Sequence, residues 1–350
     1  MKRLKAMLKW RPKQADLERL MIVCAAVLVV VLAVRGGAQR QEEQASVVPE
    51  VALTSTATVP ETEMQSTVCW YRDGDGYLVP VTRQIPKQDG VAKATLALMV
   101  SSGENDLAAA RMGLTTVIPE GTTFDVDISR GKARVDMSRE ALDCATAEQE
   151  LLMVQGTAAA LCCFQTVDEV TFLFDGQKRS RLTHGTDVSG VFTAQSVNVE
   201  SVAAMAQSDY AEQVQLYFPS ASGRLLVPVT RTVYSQADLS TAMLELAKGP
   251  RPDSGLERPI PGSCGVRSVT VKDGVATVDF TSSFLDAMQG EDSRQALRAI
   301  LFTASQFPGV KRVNLMVEGK PYKPEPDSEA TFLNEASEVM SQYPGVVEID

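Results

Sequence analysis

Histidine is nearly absent from this 350-residue chain: His184 is the only one. That scarcity removes Ser-His-Asp and Cys-His nucleophile pairs and multi-histidine metal sites, which need an imidazole as base or ligand. Cysteine is present six times but never as CxxC. Cys24 falls in a hydrophobic run, and the odd number left beyond it (Cys69, Cys144, Cys162, Cys163, Cys264) cannot all pair internally, so a disulfide framework is not expected. The adjacent Cys162-Cys163 pair is read as small helix side chains, at least one of them in a core. Basic residues are outnumbered by acidic ones, 34 to 44, giving a net charge of −10. A surface of that sign repels phosphate backbones, so no nucleic-acid partner is expected.

What the chain does have is a repeat. Leu78-Val-Pro-Val-Thr-Arg83 recurs as Leu226-Val-Pro-Val-Thr-Arg231, each time after a Gly-containing turn and an apolar strand. Such self-similarity decides the architecture before any local reading. In the second copy the hairpin leads to a helix capped by Asp238, with Leu239, Ala242, Met243, Leu246 and Ala247 on one stripe, stopped at Gly249-Pro250. Two strands follow around Asp273-Gly274, a strong short-hairpin signal. A second helix is expected from Asp292, with Gln295 completing a capping box, and a last strand runs through Val310-Lys-Arg-Val-Asn-Leu-Met-Val317.

The first copy repeats this order, with helix one over residues 91–101 and a second helix capped by Thr146 with Gln149. The copies are offset by 148 residues at the hairpin (Leu78, Leu226) and by 143 at the later strands (Val126, Val269), so the length difference falls in the loop after helix one. The fold class is therefore α+β: two ββαββαβ domains, each a compact sheet with helices on one face, covering residues 66–178 and 212–322.

The remaining segments have their own character. Residues 1–19 are basic, and residues 20–38 hold the apolar run Leu20-Met-Ile-Val-Cys-Ala-Ala-Val-Leu-Val-Val-Val-Leu-Ala-Val34, read as a transmembrane anchor or a signal peptide, with the anchor favoured by the length of the run. The charge before it places the N-terminus in the cytoplasm and the bulk of the chain outside a single-pass membrane span. Residues 39–65 read as a disordered acidic spacer and residues 323–350 as an acidic tail. The connector, residues 179–211, carries Val188, Val191, Phe192, Val197, Val199, Val202 and Met205 and is expected to pack on the domains.

Candidate site residues are few. Asp136 and Asp279, each after a strand valine, suggest paired carboxylates but are better explained as caps of a turn backbone. Asp73-Gly-Asp-Gly76 lacks the later ligands of a calcium loop and reads as the hairpin turn. His184 reads as structural or solvent-facing. Arg83 and Arg231 suit an acidic partner, and Pro80 and Pro228, which cannot donate to a ladder, mark an edge or bulged strand where another chain docks or is kept off. These four are the interface candidates. No catalytic, metal or cofactor residue is assigned.

Leu216-Tyr-Phe-Pro219, the LVPVTR hexapeptides, Leu246-Ala-Lys-Gly-Pro250, Ile260-Pro-Gly262, Gly274-Val-Ala-Thr-Val-Asp279 and Phe307-Pro-Gly-Val-Lys-Arg-Val313 together resemble the GerMN-domain family of spore formation and germination proteins, in a tandem arrangement. The first copy departs from it, with Val100-Ser-Ser-Gly103 and Phe164-Gln-Thr-Val167 at the matching turns. The resemblance implies a membrane-tethered, extracytoplasmic, non-enzymatic protein linked to the channel between forespore and mother cell. Its expected partners are envelope or channel proteins. The alternative, a cell-wall or carbohydrate-binding module with peptidoglycan as partner, needs a cleft of exposed aromatics. Trp70, Tyr71, Tyr77, Tyr217 and Tyr234 are the ones near the hairpins.

Overall fold

The computed structural model describes residues 63–200, 211–288 and 292–322. The expected anchor, the C-terminal tail, and Val202 and Met205 of the connector lie outside the described residues. Among the described residues no helix is long and apolar enough to cross a membrane.

The first copy opens with an antiparallel hairpin, β1 (Met64–Arg72) and β2 (Leu78–Pro86), in a register that places Trp70 opposite Pro80. Because β1 starts at Met64, the strand takes in two residues assigned above to the spacer. Asp73 turns the hairpin: its Oδ1 accepts from the amides of Asp75 (3.0 Å) and Tyr77 (2.8 Å). Burial raises the pKa of this carboxyl despite those amide bonds.

Helix α1 (Val91–Ala97) ends four residues before the expected Ser101, because Ser102 caps the next helix, its side chain accepting from Asn105 N at 3.2 Å. That next helix, α2 (Gly103–Arg111), occupies the stretch by which the first copy is longer. Strands β3 (Phe124–Ser129) and β4 (Gly131–Met137), helix α3 (Ala147–Cys162) and strand β5 (Val167–Phe174) complete the copy. Thr146 caps α3 and accepts from Gln149 N (3.1 Å), while the Gln149 side chain reaches back to Ala145 N (2.8 Å).

The second copy follows the same plan: hairpin β6 (Glu212–Pro219) and β7 (Leu226–Val233), helix α4 (Leu239–Lys248), strands β8 (Val266–Lys272) and β9 (Val275–Phe280), a short helix α5 (Phe284–Ala287), helix α6 (Asp292–Ser305), and β10 (Arg312–Val317) with β11 (Lys320–Pro321). Asp238 caps α4 as its position suggests, accepting from Thr241 N at 2.8 Å. The side chain of Asp292, half of the box expected at α6, lies outside the described residues. The Gln295 side-chain amide donates to the Gly223 carbonyl in the turn between β6 and β7.

Neither copy builds one sheet. Each hairpin stands apart as a two-stranded sheet, and the later strands form separate sheets in the orders β3-β4-β5 and β8-β9-β10-β11. Pro80 and Pro228 each withhold one N–H from the outer edge of their hairpin. In each main sheet the strand after the long helix lies parallel to the one before it (β5 with β4, β10 with β9), a geometry that needs the crossover α3 and α6 supply. The tight turns match across copies. Arg130-Gly131 and Asp273-Gly274 both have positive φ at the two central positions (51° and 79°, 51° and 80°), as a type I′ turn demands.

Two large apolar cores result, and a small third cluster gathers Tyr217, Leu226, Ala299 and Phe302. One gathers Trp70, Tyr71, Leu96, Met99, Ile118, Phe172 and Phe174 with Leu182, Val188 and Val197 of the connector. The other gathers Leu216, Phe218, Met243, Phe280 and Phe284, and it includes Val79 from the first copy. The connector therefore packs, though not uniformly: Val191 and Val199 are 53% and 44% exposed. Cys162 and Cys163 are both only half-buried, because the end of α3 leaves the core there.

Candidate functional site

The four interface candidates flank a seam between the copies, and the structure gives each a different surrounding. Pro80 and Pro228 are buried. The outer edge of β7 is not open, because the connector lies along it. Thr230 N donates to Asn198 O (3.2 Å) and Glu200 N donates to Thr230 O (2.9 Å), a short parallel bridge centred on Val199. Asn198 sits at φ 47°, a left-handed conformation that asparagine tolerates better than most residues. Its Nδ2 donates to Pro228 O (2.7 Å) and to Leu78 O (2.8 Å), and its Oδ1 accepts from Leu78 N (2.9 Å). One side chain thus clamps β2 of the first copy to β7 of the second. Tyr77 adds a bond across the same seam, its hydroxyl donating to Ser254 O at 2.9 Å.

Arg231 is the centre of an internal charge network. Its Nε and Nη2 make a bidentate pair with Glu200 (2.8 and 2.9 Å), Nη1 donates to Glu245 Oε2 (3.2 Å), and Nη2 donates to Gly249 O (3.1 Å) at the end of α4. The side chains of Arg231, Glu200 and Glu245 are only 12%, 10% and 16% exposed. Burial disfavours the cation, but Glu200 and then Glu245 outweigh it and raise the Arg231 pKa. The acidic contact foreseen for this arginine is made by the chain's own carboxylates, so its guanidinium is not presented to a partner.

Arg83 differs. It is half-buried, and among the described residues no carboxylate lies within ion-pairing distance of it. Its charge acts on buried neighbours: burial pushes the Cys69 thiol up to about 12, and Arg83 offsets part of that rise.

Asp136 and Asp279 occupy equivalent places. Asp136 Oδ1 accepts from Gly176 N, and Asp279 Oδ1 from Gly319 N, both at 3.0 Å, so each carboxylate fastens the turn after the last strand of its sheet. Asp279 also pairs with Arg267 at 2.9 Å. His184 is structural: its Nε2 donates to Cys144 O at 2.7 Å. Its backbone amide donates to Glu150 Oε1 (2.7 Å), and Thr186 N donates to Glu150 Oε2 (3.2 Å). Glu150, fully buried on α3, holds the connector to the first copy and was not singled out from sequence, where it reads as one of several first-turn acids. Among the described residues no group of three or more His, Cys, Asp or Glu is placed to hold a metal.

Two clefts flank the seam. One, of about 490 Å³, is lined by Tyr77, Asn198, Glu200, Arg251, Asp253 and Leu256. The other, of about 760 Å³, lies on the first copy among Arg72, Thr115, Glu120, Asp143, Thr146 and Glu148. Of the five aromatics near the hairpins, Trp70, Tyr71 and Tyr217 are buried, Tyr77 is half-buried, and Tyr234 is exposed.

This duplicated plan can be set beside known proteins. Residues 67–180 and 215–323 match the sequence profile of the family Germane, described as sporulation and spore germination. The chain belongs to the Germane family. Spore germination protein GerM of Bacillus subtilis (strain 168) is 30% identical over 261 residues, spanning 71% of this chain and 70% of that protein. The solved structure of the tandem GerMN domains of the sporulation protein GerM from Bacillus subtilis superposes with a TM-score of 0.66 at 27% identity, covering 74% of this chain and 92% of that one. This Germane chain therefore shares with that protein both the domain and its duplication in tandem.

Proposed function

We propose that this Germane protein is a non-enzymatic scaffold of sporulation or spore germination. In this reading it is held to the membrane by residues 20–38, with both domains outside the cytoplasm, and acts by protein–protein contacts at the channel between forespore and mother cell. The observation that carries the reading is the fate of the charged groups shared by the two copies. Arg231, Asp136 and Asp279 hold the fold, while Arg83, the counterpart of Arg231, has no carboxylate partner among the described residues. Membership of a family described by sporulation and spore germination supports the process.

A saccharide-binding role is less well supported, since stacking on sugars needs exposed rings and Tyr234 alone of the five hairpin aromatics supplies one. The test is deletion in the host with affinity capture of the tagged full-length protein from sporulating cells. A sporulation or germination defect together with recovery of envelope proteins is expected. Normal spores and germination with no envelope protein recovered would sink the scaffold, and co-sedimentation with purified peptidoglycan would favour wall binding.

A further inference from the structure

Both hairpins carry the same outer edge, and one of the two is already paired. In the first hairpin Asp73 N donates to Tyr77 O and Lys87 N to Glu63 O, at the two ends of a register that joins Cys69 to Val81. The odd-numbered residues of β2 therefore face β1, and Leu78, Pro80, Thr82 and Gln84 turn their backbone groups outward. Leu78 agrees with this, its N–H and C=O both bound by the side chain of Asn198. In the second hairpin the residue matching Thr82 is Thr230, and the connector bridges it: Thr230 N donates to Asn198 O and Glu200 N to Thr230 O. Among the described residues the outward N–H and C=O of Thr82 and Gln84 have no such partner. Thr230 is fully buried, whereas Thr82 is half-buried and Gln84 is exposed.

The charges repeat the contrast. Arg231 is held by Glu200, on the same connector strand that fills the edge, and by Glu245 of α4. Arg83 is half-buried, with no carboxylate within ion-pairing distance among the described residues. Ala97 stands in α1 where α4 has Glu245, so α1 offers it none.

We infer that the outer edge of β2 takes one extended strand of a partner protein, parallel to β2 and carrying a glutamate that pairs with Arg83. The connector sets the register. The partner residue whose carbonyl accepts from Thr82 N–H lies two before the glutamate, and the glutamate N–H donates to Thr82 C=O, as Asn198 and Glu200 do at Thr230. An added strand draws its affinity from the main chain and its selectivity from side chains, here one carboxylate facing a guanidinium. A second copy pairing through its own β2 is disfavoured by charge, because Leu78-Val-Pro-Val-Thr-Arg-Gln-Ile-Pro86 holds an arginine and no acid. The site rests on the scaffold reading and gives one of its contacts a place and a chemistry.

The probe is a capped synthetic peptide with the connector's own sequence, Gln195-Ser-Val-Asn-Val-Glu200, added to the full-length chain and read by amide hydrogen exchange. Without peptide, the Thr82 amide should exchange much faster than that of Thr230, the internal reference. Saturating peptide should slow Thr82 roughly tenfold or more and leave Thr230 unchanged. Glu200→Gln in the peptide, or Arg83→Gln in the chain, should weaken binding roughly tenfold, and the two together no more than either alone. The peptide substitution leaves the protein unaltered, so its effect is independent of folding. Thr82 already as slow as Thr230 without peptide overturns the proposal, because the edge is then filled from within the chain or by a second copy. No slowing at any peptide concentration, or equal slowing by both peptides, overturns it as well. If the full-length protein still captures envelope proteins after such a failure, the scaffold reading stands and its contacts lie elsewhere.

Discussion

Replacing Asn198 by alanine removes three hydrogen bonds that join strands from different domains and puts a Cβ-branched-free but less tolerant residue at positive φ. At about 1 kcal/mol net per bond, a loss of roughly 2–4 kcal/mol is expected, read as a lower urea midpoint. Arg231→Ala takes the shared guanidinium from Glu200 and Glu245, leaving Glu200 with Arg251 and Glu245 with Lys248, and should cost about 1–3 kcal/mol by the same measurement. The thiols supply a pH prediction. Burial pushes Cys69 and Cys162 up to about 12 and Cys144 up to about 11, from an ordinary 9.0. A group whose folded pKa is raised contributes stability that is present below its unfolded pKa and lost as pH rises toward the folded one. The denaturation midpoint should therefore fall between pH 9 and 11, and the buried thiols Cys69 and Cys144 should resist alkylation at pH 8 until the chain is unfolded. Legibility at this scale follows duplication. Asp136 and Asp279 could be read as turn caps because each vouches for the other and the partner amide lies in a Gly turn. Asn198 could not be read, because its partners are residues 78 and 228, and nothing local in Val-Asn-Val announces them.

Elements were legible where periodicity or caps spoke and illegible where pairing partners were the question. The stripe on α4 and the caps Asp238 and Thr146 fixed helices to within a residue or two, whereas α1 ended early because a second cap, Ser102, competes for the chain. The alternation along a strand tells which residues face inward but not which strand lies alongside, and so the separation of each hairpin from its main sheet was not foreseen. Gly156 shows how closely these layers meet. A Cβ on it would approach Val117 Cγ2 at 3.3 Å and Leu78 Cδ2 at 3.4 Å, since α3 lies against the first hairpin there. Gly156→Val should overpack that contact and cost about 1–3 kcal/mol in chemical denaturation, although glycine is the poorer helix former.

At the scale of the molecule, the two copies share more than a tether. Val79 of β2 lies in the apolar core of the second copy, the connector packs into the core of the first, and Asn198 joins the two hairpins. The described domains are therefore expected to unfold in one transition, with near-ultraviolet and far-ultraviolet dichroism coincident, and Asn198→Ala is expected to pull the two signals apart. The placement of Val79 also sets an order of events during synthesis. A chain made from its N-terminus completes β2 long before the second-copy residues that share this core with Val79 have been added. The first domain must therefore wait, with one apolar side chain of its hairpin uncovered, until the second is made. That interval is when the growing chain is most open to wrong contacts and to the help of a chaperone.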